Sequence, residues 1–173
     1  MSLEARSLTF RYPRRGQGPV LEHVNLTLEP GERVGLTAPS GRGKTTLCKL
    51  LAGYESPTAG EVFLDGRPLS QYRGARPVQM IWQHPETVLD PLLPLEKSLK
   101  EAGPVEERLL EKLHIQPQWL RRYPQELSGG ELQRFCIARA LGRATRYLLC
   151  DEITAMLDPI GRADVLRTIK TLN

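Results

Sequence analysis

The sequence predicts an α/β domain with a mixed sheet and a small helical subdomain. Three observations carry that expectation. A short apolar run, Val34-Gly35-Leu36, feeds a Gly-rich turn and then a helix with an apolar face, the order of a buried strand passing into a helix. The middle third is polar, punctuated by proline and helical in rhythm. The last third resumes with an apolar strand, Tyr147 to Cys150, that ends in two adjacent carboxylates.

The elements follow in order. Leu8, Phe10 and Tyr12 alternate with polar residues as a strand, and Arg14 to Pro19 breaks the pattern as a loop. Val24, Leu26 and Leu28 alternate again until Pro30-Gly31. After the turn from Pro39 to Gly43, Leu47, Leu50 and Leu51 line one face of a helix that Gly53 is placed to end. Glu61 to Leu64 reads as a strand entering a hairpin at Asp65-Gly66, and Val78, Met80 and Trp82 as another strand. From about Leu95 to Tyr123 the chain is helical, with Pro104 suited to a first turn and Leu109, Leu110 and Leu113 as an apolar stripe. A long helix spans about Gly130 to Leu141, and a final one follows Asp158-Pro159.

Composition bounds the function. The chain has 173 residues, 40% hydrophobic and 25% charged, enough for one domain with a core and unlike a disordered chain. No apolar run approaches the roughly 18 residues of a membrane span, and the start lacks a secretory signal. Three cysteines, Cys48, Cys136 and Cys150, lie in no CxxC pair, which argues against a disulfide framework or a zinc site. The net charge is +4 with no basic tract longer than a pair, so no nucleic-acid partner is expected. These features read as a soluble intracellular domain.

Three segments carry chemistry. Ala38-Pro39-Ser40-Gly41-Arg42-Gly43-Lys44-Thr45 has the spacing of a phosphate-binding P-loop, with Ala38 where the pattern opens on glycine. Gly41 and Gly43 let backbone N–H groups curl around phosphates, Lys44 reaches the β- and γ-phosphates, and Thr45 supplies a hydroxyl to Mg²⁺. Ala38 strains this loop only if its position needs positive φ. The strand Tyr147 to Cys150 delivers Asp151 and Glu152 to a sheet edge, where Asp151 can hold Mg²⁺ and Glu152 can orient or deprotonate a water. In Leu127-Ser128-Gly129-Gly130-Glu131, Ser128 and Glu131 form a capping box, while the two glycines, unneeded for capping, open the helix N-terminus to a phosphate.

Leu127 to Glu131, followed by Gln133-Arg134 and Ala138 to Leu141, resembles the signature helix of the ATP-binding cassette (ABC) ATPases. Gln83 is similar to that family's Q-loop, Tyr12 to its adenine-stacking aromatic with Phe10 as the rival, Asp151-Glu152 to its Walker B carboxylates, and Ala155-Met156-Leu157-Asp158 to its D-loop. The run from His84 to Pro91 resembles the oligopeptide and nickel importer subfamily. The resemblance implies a P-loop NTPase core in three stretches: 1–84 with antiparallel strands and P-loop, 85–143 as a helical subdomain ending in the signature helix, and 144–173 with the Walker B strand, D-loop and a following helix.

It also implies that ATP is held by Tyr12, by Pro39, Ser40, Gly41, Arg42, Gly43, Lys44, Thr45 and Thr46, and, from a partner subunit, by Ser128, Gly129 and Gly130. Catalysis would fall to Glu152, Gln83 and Lys44, and Mg²⁺ to Thr45, Gln83 and Asp151. The implied activity is ATP hydrolysis powering an importer for a small solute such as a peptide or metal ion. A second ATPase subunit, identical or not, and transmembrane permease subunits would be its partners, on the inner face of the cell membrane in the cytoplasm. The family's switch histidine would lie beyond Asn173, and His23, His84 and His114 come too early to replace it. Two alternatives stand beside this reading: a non-catalytic ATP-binding module, motivated by Ala38 and the missing histidine, or a soluble ABC ATPase acting on nucleic acid or ribosomes. His84, Cys48 and Arg121-Arg122 read as loop, core-side and surface residues respectively.

Overall fold

The computed structural model describes residues 2–13, 18–74, 76–142, 144–153 and 159–171. It forms two compact units, Met1–Val78 and Gln79–Asn173.

In the first unit β1 (Leu3–Phe10) lies between β2 (Leu21–Leu28) and β3 (Ala59–Leu64), with β4 (Arg67–Pro68) beyond β3. The strands pair antiparallel. Leu3, Ala5, Leu8 and Phe10 of β1 are all buried, although strict alternation would turn Leu8 away from Leu3 and Ala5. A bulge reconciles them. Register shifts against both neighbours between Ala5 and Thr9, and Ser7 takes a φ of 50° there. The freed Ser7 N–H donates to Asn25 Oδ1 at 2.8 Å, so the extra residue leaves no orphan donor. The strand stops at Phe10, leaving Tyr12 just outside the sheet. Asp65 and Gly66, both at positive φ, make the two-residue turn between β3 and β4.

Helix α1 (Lys44–Leu51) buries Leu47, Leu50 and Leu51 as expected and closes at Ala52, with Gly53 in the left-handed region. The Arg76 guanidinium caps this end by donating to the Ala52 carbonyl at 3.0 Å and to that of Gly53.

Val34-Gly35-Leu36 does not form the expected buried strand. Residues 32–39 take no regular structure, and Val34 and Leu36 are 53% and 51% exposed. An apolar run becomes a strand only beside a hydrogen-bonded neighbour, and neither described sheet includes this run.

In the second unit β5 (Val78–Ile81), whose first residue closes the preceding unit, pairs with β6 (Tyr147–Cys150). Around them stand α2 (Leu95–Lys100), α3 (Glu107–Lys112), α4 (Gly129–Ala140) and α5 (Pro159–Thr171), with 3-10 turns at Pro85–Thr87, Pro117–Arg121 and Pro124–Glu126. One core joins Ile81, Leu95, Leu113, Phe135, Ile137 and Val165, so residues on either side of position 144 share it. Leu109 and Leu110 pack against this core with Leu113, the stripe read from the sequence. Helix α3 starts at Glu107 rather than near Pro104, because Val105 turns onto the core and Glu106 stays extended. No helix among the described residues is long and apolar enough to cross a membrane.

Candidate functional site

The first unit presents the loop. Gly41 and Gly43 have φ of 77° and 85°, a conformation side chains disfavour. At Gly43 space is also closed, since a Cβ would lie 3.0 Å from the Leu21 and Val20 side chains. Ala38 is absent from the residues at positive φ, so alanine there carries no backbone strain. Gly43 is the N-cap of α1, no side chain caps the helix, and no acidic residue stands in its first turn. With no side-chain cap and no first-turn acid, the positive end of the helix makes this an anion-ready terminus. Lys44 Nζ reaches back across the loop to the Ala38 carbonyl at 2.9 Å and the Pro39 carbonyl at 3.4 Å. Pro39, Ser40, Gly41, Arg42 and Thr45 are exposed.

Thr46 differs from the rest of the loop. It is buried, and its hydroxyl lies 3.1 Å from the Tyr12 hydroxyl. Tyr12 is half-buried and edge-on to Phe10, with ring centroids 4.9 Å apart. Phe10 is buried in the sheet, so Tyr12 is the aromatic with ring surface to offer a base. The alternation of apolar residues contains no signal for this Tyr12–Thr46 tie.

The second unit presents the carboxylates. Asp151 follows β6 directly, is buried, and donates its N–H to the Ile81 carbonyl at 3.1 Å, extending the strand pairing by one step. Glu152 is exposed, at a φ of 48°, directly after the buried Asp151. Gln83 Nε2 donates to Glu152 Oε2 at 3.0 Å, bringing together two residues 69 apart in the chain. This bond leaves the Gln83 carbonyl oxygen for another partner.

Ser128 caps α4 as a full capping box: its Oγ accepts from the Glu131 N–H at 3.4 Å, and its own N–H donates to Glu131 Oε2 at 2.8 Å. Gly129 and Gly130 are the first helical residues and neither has positive φ, so the backbone does not require glycine there. What glycine adds is a bare approach to the helix end. The D-loop resemblance, Ala155 to Asp158, lies outside the described residues. His84 is exposed beside Glu86, with Nδ1 at 3.2 Å from Oε1.

The family model described as ABC transporter matches residues 21–155. The chain belongs to the ABC transporter family. It is 37% identical to the nickel import system ATP-binding protein NikE of Staphylococcus aureus strain bovine RF122 / ET3-1, over 97% of this chain and 73% of that protein. It is 36% identical over the same shares to the protein of that name from strain MRSA252. Among solved structures, it superposes with a TM-score of 0.84 and 26% identity on the dimeric, post-hydrolysis ATP-binding cassette MJ0796 bound to ADP and Pi, covering 98% of this chain and 82% of that one. The likeness is to ABC ATPase cassettes throughout, so the P-loop NTPase fold of this ABC ATPase is the one the motifs implied.

Members of this ABC family bind ATP, typically with Mg²⁺, and in general hydrolyse it. Among the described residues no group of three or more His, Cys, Asp or Glu is placed to hold an ion. Mg²⁺ needs no such cage, since it takes one or two protein oxygens and completes its shell with substrate phosphates and water.

Proposed function

We propose that this chain is the ATP-binding and hydrolysing subunit of an importer for a small solute, a metal ion or a peptide. The Gln83–Glu152 hydrogen bond carries the hydrolytic reading, because it holds an exposed carboxylate in one orientation at the end of β6. The relatives named for nickel import favour a metal ion as the cargo of their systems and, by extension, of this one.

In this reading the N–H groups following Gly43 and the Lys44 ammonium bind the phosphate chain, Lys44 exchanging its loop carbonyls for phosphate oxygens. Thr45, Gln83 and Asp151 hold Mg²⁺, which supplies charge neutralisation at the phosphates. Tyr12 stacks on adenine. Glu152 accepts a proton from a water whose oxygen bonds to the γ-phosphorus as the bond from that phosphorus to the bridging oxygen breaks, releasing phosphate and ADP. Ser128, Gly129 and Gly130 serve the nucleotide of a second cassette, and both cassettes sit with permease subunits at the inner membrane face.

The non-catalytic alternative rested partly on Ala38, and the ordinary φ at that residue removes this reason. Phosphate release from Mg-ATP by the purified chain, beside its Lys44→Ala variant, tests the proposal. Turnover lost in the variant is expected. A folded chain that binds ATP without releasing phosphate would overturn the proposal in favour of the non-catalytic module.

A further inference from the structure

Three side chains of α4, spaced three residues apart, each reach a carbonyl of the segment after β5, and those carbonyls are also three residues apart. Gln133 Nε2 donates to the Trp82 carbonyl at 3.4 Å, the Cys136 thiol to that of Pro85 at 3.8 Å, and Arg139 Nη1 to that of Val88 at 2.9 Å. Arg139 is itself held by Glu101 Oε2 at 3.0 Å. The residue after Trp82 is Gln83, whose amide holds Glu152.

Gln133 is the informative member. It is 1% exposed, and its Oε1 has no hydrogen-bond partner. A buried oxygen left unpaired costs stability, so an apolar residue of similar shape would serve packing better. What an apolar residue cannot supply is the N–H that reaches Trp82. Burial pushes the Cys136 thiol up to about 12, so it keeps the proton it donates.

We propose that Gln133, with Cys136 and Arg139 in line, is a positioning residue: it fixes residues 82–88 in register along α4 and so sets Gln83 against Glu152. The consequence is mechanical continuity. The Ser128–Gly130 end of α4 and the Gln83 amide belong to one hydrogen-bonded strut, and a shift of one moves the other. The kinetic arm of this inference rests on the hydrolytic role proposed for Glu152; the exchange arm does not.

The test compares Gln133→Met, Arg139→Met and Arg139→Lys with the parent chain, by amide hydrogen exchange and by Mg-ATP turnover. Exchange across residues 83–88 is expected to quicken roughly three- to tenfold in both Met variants, to return toward the parent in Arg139→Lys, and to stay unchanged in residues 2–64. Gln133→Met should keep its melting temperature while kcat falls several-fold and KM for Mg-ATP holds. Unchanged exchange at 83–88, or a lower melting temperature with kcat intact, would make Gln133 a packing residue and overturn the proposal. A parent that releases no phosphate counts against the hydrolytic reading alone, and the exchange comparison then decides the positioning.

Discussion

Lys44 and Cys136 show how far single residues answer to their surroundings. Lys44 rests on two loop carbonyls that are poor substitutes for phosphate, and a charge-assisted bond to phosphate exceeds either. Lys44→Ala should therefore weaken Mg-ATP binding by roughly ten- to a hundredfold, read by calorimetry, with the melting temperature of the free chain little changed. Cys136 is buried, whereas Cys150 is exposed, so a thiol reagent at neutral pH should modify Cys150 first and reach Cys136 only on unfolding. The same burial has a pH signature. The folded thiol holds its proton to about 12 against an ordinary value of 9.0, whereas the unfolded chain releases it at the lower value. Its contribution to stability is thus intact below pH 9 and lost as pH rises toward 12. Denaturant melts between these limits should show falling stability, with a shallower fall in Cys136→Ala.

At the scale of elements, α4 carries both a packing task and a cap. Phe135 is wholly buried, and Phe135→Ala should cost about 3–5 kcal/mol of unfolding free energy in denaturant titration. Ser128→Ala removes the side chain that accepts from Glu131 N–H and should cost about 1 kcal/mol. The two effects differ in what else they change: only Ser128→Ala should also weaken the ATP-dependent pairing of cassettes. Much at this scale was legible in the sequence. The spacing of Leu47, Leu50 and Leu51 located α1, Ser128 and Glu131 located the start of α4, and Asp65-Gly66 located the hairpin, because each depends on neighbours within a turn or two. The bulge at Ser7 and the late start of α3 were not legible, since Asn25 and the core under Val105 decide them from a distance.

At the scale of the molecule, the ABC family reading predicts that cassettes assemble with nucleotide. Glu152→Gln keeps the Gln83 contact possible while removing the proposed base, so it should bind Mg-ATP and accumulate as a dimer in light scattering, where the parent would only pass through that state. A Glu152→Gln chain that stays monomeric with ATP bound would count against Ser128–Gly130 as a partner's phosphate site.

The sequence by itself determined which residue types stand where phosphate chemistry needs them. Two glycines precede Lys44, a hydroxyl follows it, carboxylates end an apolar strand, and a serine cap precedes two bare glycines; all are short-range patterns. Tertiary structure alone decided which of these groups meet. It tied Gln83 to Glu152, Tyr12 to Thr46 and Gln133 to Trp82, and it left Val34 and Leu36 outside either described sheet. The reason is physical: a helix, turn or cap closes its hydrogen bonds within a few residues, whereas a strand pairing or a side-chain contact across tens of residues exists only when the rest of the chain brings its partner to it.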